Sequence, residues 1–330
     1  EIKMLFGARD RFGVKPFFYA FGDNGEFIFA SEIKAILKSN LLTPEIDTQS
    51  LTHYLQKLYV HPTKTIYSNI YTLPPAHKLI FNHGKLEISS YWDYPQVNDS
   101  ITIEDAIDEF KNLLDKAVSN QLVADVPVGA FLSGGLDSST IVALASNYKD
   151  NLKTFSFNFN WDYNEQPYSL AVADKYNTDH TELEDENLKL DEMLIQMQRV
   201  YDEPFADSSN IPTYIISKLA SKHLKVILTG DGGDEMLAGY SYWYNDLLYM
   251  QKQINRKQYE KGLFNIILKL NSRFQLPLPD EWNKHLRGIE NYKMYGRLDK
   301  LHKIQKQYFN SDEIIGIGLE PWDDYLLEKN

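Results

Sequence analysis

From residue 102 onward, short β-branched strands alternate with helical stretches, and this alternation constrains the fold more than any other feature of the 330-residue chain. Ala106, Ile107, Phe110, Leu113, Leu114, Ala117 and Val118 trace a 3.6-residue apolar stripe, preceded by Thr102 and Asp105 at capping-box spacing. There follow a strand over 126–132, a helix from about 138 to 148, a strand over 154–159 and a helix from about 165 to 176. A short strand near Thr181, helices near 187–201 and 211–223, and a strand over 225–228 complete the series. Strands separated by helices imply crossover connections, so the expected fold class is α/β with a doubly wound parallel sheet. Beyond about residue 240 the text is helical and rich in Tyr and Trp, interrupted by Pro277 and Pro279.

The first hundred residues read differently. Phe17 to Phe21 and Phe27 to Ala30 are aromatic runs joined by Asp23-Asn24-Gly25, a hairpin signal. A second hairpin has Leu79-Ile80-Phe81 and Leu86-Glu87-Ile88 flanking Asn82-His83-Gly84. Between them Leu51, Tyr54, Leu55 and Leu58 mark one amphipathic helix. Residues 91–100, with Pro95, Asn98, Asp99 and Ser100, have the composition of a linker. The expected domains are therefore 1–100, β-rich, and 101–330, and the length suits two of them.

Composition excludes several function classes. The chain carries 34 basic against 46 acidic side chains, a net charge of −12, and its Lys and Arg do not cluster, so nucleic-acid binding is not expected. The longest apolar runs, such as Phe17 to Phe21 and Ile141 to Ala145, fall far short of the roughly 20 residues that span a bilayer. No secretory signal is visible at the start, and the expectation is a cytoplasmic protein. There is no cysteine, which removes disulfides, thiolate metal sites and any thiol nucleophile from these residues.

The chemistry concentrates at Ser133-Gly134-Gly135-Leu136-Asp137-Ser138-Ser139, between the strand ending at Leu132 and the next helix. Adjacent glycines let backbone N–H groups turn inward, and a helix N-terminus adds free amides and positive dipole, so the loop suits an anion. Hydroxyls of Ser133, Ser138 and Ser139 supplement the amides. A carboxylate beside polyphosphate implies a divalent metal, Mg²⁺ above all, at Asp137. No Walker lysine is present, so a part of ATP other than the β- and γ-phosphates should be gripped. The bland alternative is a tight turn capped by Asp137 or Ser138. Ser, Gly, Gly, Asp and Ser at one fixed spacing, each about one residue in fifteen, arise by chance in roughly one chain of this length in two thousand. The loop also sits at the carboxyl end of an expected parallel strand, where ligands of open α/β sheets bind. A second Gly-rich stretch, Gly230 to Glu235, follows the strand at 225–228 and should open on the same sheet edge; its bland alternative is a turn capped by Asp234 and Glu235. Asp207, Ser208 and Ser209 read equally as caps of the helix near Ile211 or as pocket residues.

Three stretches resemble the glutamine-hydrolysing (class B) asparagine synthetase family: Phe131-Leu132-Ser133-Gly134-Gly135-Leu136-Asp137-Ser138-Ser139, Glu203-Pro204-Phe205-Ala206-Asp207-Ser208-Ser209, and Leu228-Thr229-Gly230-Asp231-Gly232-Gly233-Asp234-Glu235 with Gly239-Tyr240. Near the start, Ala8-Arg9-Asp10-Arg11-Phe12-Gly13-Val14-Lys15-Pro16 and Phe29-Ala30-Ser31-Glu32 resemble the second half of that family's N-terminal-nucleophile glutaminase domain. The resemblance spans residues 3–245. It implies that 1–100 is the back half of a glutaminase and 101–330 most of an ATP-pyrophosphatase domain. It also implies that the glutaminase nucleophile, an amino-terminal Cys, lies upstream of Glu1, and that the synthetase domain continues past Asn330.

The resemblance implies ATP cleavage between the α- and β-phosphates, an aspartyl adenylate, and displacement of AMP by ammonia from glutamine. Ser133, Gly134, Gly135, Asp137, Ser138 and Ser139 would cradle pyrophosphate, Leu132 and Phe157 contact adenosine, and Thr229 and Gly230 line the adenylate. Asp137 and Asp234 would hold Mg²⁺. Asp231 falls where the family carries an acidic residue tied to adenylate formation and ammonia attack, with Glu in several relatives. A homodimer is compatible with this reading. Its rivals are an amidotransferase or β-lactam-type synthetase with another carboxylate acceptor, and a nucleotide-binding module without catalysis.

Overall fold

A computed structural model describes residues 4–97, 100–157, 165–184, 190–241, 245, 308–309 and 311–322. The expected helical text around Pro277 and Pro279 lies outside the described residues, as do the ends of the elements expected to reach 159 and to begin near 187. The chain forms two compact units: residues up to Tyr94 with Val200–Ala206 and the described residues beyond Tyr240, and Pro95–Arg199 with Asp207–Tyr240.

The first unit holds β1 (Met4–Ala8), β2 (Phe18–Phe21), β3 (Phe27–Ala30), α1 (Ile33–Lys38), α2 (Thr48–Lys57), β4 (Ile70–Thr72), β5 (His77–Asn82) and β6 (Lys85–Ser90). They form two antiparallel three-stranded sheets, ordered β1-β5-β6 and β3-β2-β4. Both expected hairpins are present, with different turns. His83 and Gly84 both have positive φ (48° and 77°), the signature of a two-residue type I′ turn. In the other, only Gly25 enters the left-handed region, at φ 88°. The helix α1, too short for periodicity to reveal, buries Ile33 and Ile36 against Ala20 and Ile70. Helix α2 is present, but its fully buried positions are Ser50, Thr52, His53 and Gln56, while Leu51, Tyr54 and Leu55 are only half-buried. The reason is hydrogen bonding. Gln56 accepts from the Trp322 N–H through Oε1 at 3.2 Å and from the Tyr308 N–H through its carbonyl at 2.9 Å, while His53 Nδ1 lies 2.8 Å from the Tyr59 carbonyl.

The second unit holds α3 (Ile103–Gln121), β7 (Val128–Phe131), α4 (Leu136–Ala145), β8 (Lys153–Phe157), α5 (Gln166–Lys175), β9 (Asp179–Leu183), α6 (Leu190–Val200), α7 (Asn210–Ala220), β10 (Val226–Leu228) and α8 (Gly233–Leu237), with Val200 itself assigned to the first unit. The sheet is parallel and ordered β10-β7-β8-β9. Helices cover both faces: Val118, Val142, Ala145 and Ala173 of α3, α4 and α5 pack on Val128, Ala130 and Leu132, while Ala220 and Leu224 cover Phe155 and Leu183. This is the doubly wound arrangement expected from the alternation. Pro127 stays outside β7, as a central strand requires of a residue without an N–H. Gly129 allows the second face to close, since a Cβ there would lie 2.6 Å from Leu224 Cδ1. Thr102 caps α3 by accepting the Asp105 N–H at 3.1 Å and donating its hydroxyl to the Asp105 carboxylate at 2.8 Å. The stripe on α3 is only partly used: Val118 is buried, whereas Ile107, Phe110 and Leu113 remain exposed.

Candidate active site

Strand order brings the two Gly-rich loops together. Because β10 pairs with β7, the turns after Leu228 and Phe131 leave the sheet side by side at its carboxyl edge. Their contact is made of missing side chains. A Cβ on Gly230 would lie 2.8 Å from the Ser138 N and 2.9 Å from Asp137 Cβ; one on Gly233 would lie 2.9 Å from both Asp137 carboxylate oxygens. Gly232, at φ 92°, turns the chain into α8, and the Gly233 N–H donates to the Gly230 carbonyl at 3.3 Å.

The first loop is tied to itself. Ser138, nearly buried, holds its Oγ 3.0 Å from Ser133 Oγ and receives the Ser133 N–H at 3.3 Å, while the Gly135 N–H donates to Ser133 Oγ at 3.2 Å. Gly134 has φ 85°, and a Cβ there would lie 2.5 Å from Tyr168 Cβ and 2.6 Å from Ser169 N. The loop is thus backed by the first turn of α5. Helix α4 starts at Leu136 with Gly135 as its N-cap, so the amides of Leu136, Asp137 and Ser138 have no intrahelical acceptor and sit at the positive end of the helix. Ser139 Oγ is sealed from solvent without a hydrogen-bond partner among the described residues.

Three carboxylates surround this mouth. The carboxylates of Asp137, Asp234 and exposed Asp231 take part in no hydrogen bond or ion pair among the described residues. Gly239 lies directly against the Asp234 carboxylate, where no Cβ fits. The cap reading of Asp234 and Glu235 holds in one respect: both stand in the first turn of α8, where the helix dipole favours acidic residues, although the N-cap itself is Gly232; Glu235 also accepts the Tyr240 hydroxyl at 2.7 Å. That bond, with a backbone N–H, holds the Glu235 carboxyl below its ordinary range. Asp207 does behave as a turn residue. The Ser209 hydroxyl and N–H, the latter at 2.7 Å, hold its carboxyl below the usual carboxylate range.

The remaining expected residues lie at the same sheet edge. The Leu132 side chain is fully buried in the core and its N–H donates to the Phe155 carbonyl, so only its backbone meets the loop. Phe157 ends the neighbouring β8 on the α7 face. Thr229 is exposed, and its Oγ1 accepts the Asp231 N–H at 3.4 Å. Two pairs of residues had no role assigned from the sequence. Gly233 and Gly239, which admit the two carboxylates, are legible only as part of a Gly-rich run. Gln166 and Glu182, hydrogen-bonded at 2.6 Å beneath α5, belong to no motif and meet only through the fold.

Comparison with known proteins gives the same division. Residues 109–311 match the asparagine synthase family, and residues 1–92 match the glutamine amidotransferase domain. A putative glutamine-hydrolysing asparagine synthetase 2 of Methanocaldococcus jannaschii is 35% identical over 99% of this chain and 62% of its own length. The glutamine-hydrolysing asparagine synthetase 1 of Bacillus subtilis is 31% identical over 74% of this chain and 39% of its own. A putative enzyme of the same name from Mycobacterium bovis is 32% identical over 76% and 41%. The chain therefore spans less than two thirds of the length of these relatives. Among the described residues no helix is long and apolar enough to cross a membrane, and no cluster of three or more His, Asp or Glu side chains forms a ready metal cage.

Proposed function

The chain belongs to the asparagine synthase family, and from that premise we propose that the protein is a ligase that activates aspartate with ATP and amidates it with ammonia released from glutamine. The supporting observation is the meeting of the two Gly-rich loops, which puts free amides at a helix N-terminus beside unpaired Asp137. Residues 1–100 would belong to the glutaminase part and 101–330 to the synthetase part.

Each residue has a derived task. The amides of the Ser133–Ser139 loop bind the departing pyrophosphate, with Ser133 and Ser139 as adjacent hydroxyls and Ser138 as the internal tie that keeps the loop's shape. Leu132, Phe157, Thr229 and Gly230 border the adenosine and adenylate. Asp231, exposed and with a carboxylate that no described residue pairs, accepts the proton that nitrogen loses as it attacks the acyl carbon. Asp137 and Asp234 fit a Mg²⁺ ion, because hard divalent cations in nucleotide sites use one or two carboxylates and take their other ligands from phosphate oxygens and water. Bound there, the ion neutralises charge on the polyphosphate. The acidic chain suits small-molecule substrates. We further propose a cytoplasmic homodimer, which cell fractionation and sedimentation of the full-length protein check.

The test is a product analysis on the full open reading frame supplied with ATP, Mg²⁺, aspartate and either glutamine or ammonia. Pyrophosphate, AMP and asparagine are expected in equal amounts. ADP and phosphate would sink the adenylate route, and AMP formed only with another carboxylic acid would transfer the proposal to a different acceptor.

A further inference from the structure

The turn that backs the pyrophosphate loop is itself held from outside the loop. Gly134 stands against Tyr168 and the Ser169 N at the start of α5, so the loop's position follows that first turn. Gln166, the first residue of α5, donates from Nε2 to Glu182 Oε2 on β9 at 2.6 Å. Ser169, almost wholly buried, donates its hydroxyl to the Gln166 carbonyl at 3.0 Å. Loop, helix turn and edge strand therefore form one connected series.

Glu182 occupies its place at a cost. Its second oxygen, Oε1, is sealed from solvent and has no hydrogen-bond partner among the described residues. An inaccessible carboxylate oxygen without a donor is unfavourable, and an apolar residue in this position would avoid the penalty. On the same face of the sheet, His180 spends both ring nitrogens on neighbours, Nδ1 lying 2.9 Å from Thr154 Oγ1 and Nε2 3.2 Å from Ser156 Oγ, so it supplies nothing to Oε1. What Glu182 contributes is a short, charge-assisted acceptor for Gln166 and a negative charge near the N-terminus of α5.

We propose that Glu182 is a positioning residue for the pyrophosphate loop, acting through Gln166 and the first turn of α5. The effect on catalysis rests on the ligase reading above; the effect on the loop's rigidity does not. In the full-length protein, Glu182→Ala and Gln166→Ala should each raise the KM for ATP about tenfold while kcat changes by less than about threefold, as expected for one lost charge-assisted hydrogen bond that shapes a binding loop. In the same variants, amide hydrogen exchange of Ser133 and Gly135, whose N–H groups are bonded within the loop, should accelerate by about tenfold while that of β7 stays unchanged. The exchanged pair, Glu182→Gln with Gln166→Glu, rebuilds the bond with donor and acceptor reversed and puts the carboxylate at the first position of α5, where the helix dipole favours it. This variant should restore both measurements. Unchanged exchange in either single variant, acceleration spread through β7, or failure of the exchanged pair to rescue would overturn the proposal. If the wild-type protein releases no pyrophosphate, the ligase reading fails, and the exchange measurements still decide the role of Glu182.

Discussion

At Gly134 two independent constraints coincide, a φ of 85° and a backbone neighbour where a Cβ would go. Either alone disfavours a side chain, and the second cannot relax because the obstructing Ser169 N belongs to a helix. Gly134→Ala should therefore lower pyrophosphate release by more than about tenfold in a steady-state assay. Gly25→Ala is the matched control: it has a similar φ, 88°, but open space around it, so it should cost about 1 kcal/mol of stability and leave the rate unchanged. Asp137 is constrained by chemistry rather than by space. Its carboxylate has no partner to lose, so Asp137→Ala should leave the thermal midpoint within about 2 °C of wild type while abolishing pyrophosphate release with glutamine and with ammonia alike. Full activity in that variant would refute the assignment of the loop.

Among the elements, α2 carries the sharpest prediction. Thr52 is fully buried and its Oγ1 has no hydrogen-bond partner among the described residues, so the helix pays to desolvate a hydroxyl for no bond. Thr52→Val keeps the shape and a similar helix propensity and removes the penalty, and should raise the free energy of unfolding by about 1 kcal/mol in urea titration. The same helix marks the limit of what the sequence shows. Apolar periodicity assigns Thr, His and Gln to the surface, yet Thr52, His53 and Gln56 are buried, Gln56 satisfying backbone groups distant along the chain and His53 lying against the Tyr59 carbonyl just past the helix end. In the second unit the elements were legible: their period, Gly and Pro punctuation and capping residues are local, and the order β10-β7 then puts both Gly-rich loops on one edge, as their positions after parallel strands suggested. What stayed hidden depended on tertiary proximity. Nothing near Gln166 announces Glu182, and nothing in the stripe of α3 announces that Ile107, Phe110 and Leu113 stay exposed.

At the scale of the whole chain, the path leaves the second unit after Arg199 and returns to it at Asp207, and Val200–Ala206 is built into the first unit. Several contacts fix that excursion, among them Lys34 Nζ at 3.2 Å from Asp202 Oδ1, the Ile66 N–H donating to Glu203 Oε1 at 2.6 Å, and the Ala206 N–H donating to the Leu58 carbonyl at 3.0 Å. Glu203 makes the excursion sensitive to pH. Burial drives its carboxyl up to about 7 from an ordinary 4.5, with Asp202 adding to the rise and the Ile66 N–H opposing it. A group whose proton is held more tightly in the folded state stabilises below its unfolded pKa and loses that contribution as pH rises through the folded value. Stability from Glu203 is therefore full below about 4.5 and lost by about 7. His180 acts oppositely: burial lowers its pKa, so its contribution is full above the ordinary 6.5 and falls as the solution is acidified. The two effects overlap in an ordinary melting profile, and comparison with a variant separates them. Glu203→Gln keeps an oxygen to accept the Ile66 N–H but cannot ionise, while His180 is present in both proteins. The difference in melting temperature, variant minus wild type, should grow from pH 5 to pH 8 and level off above the Glu203 pKa. A difference that is flat across this range would show that the carboxyl does not titrate there, and that the tether at Ile66 is indifferent to its charge.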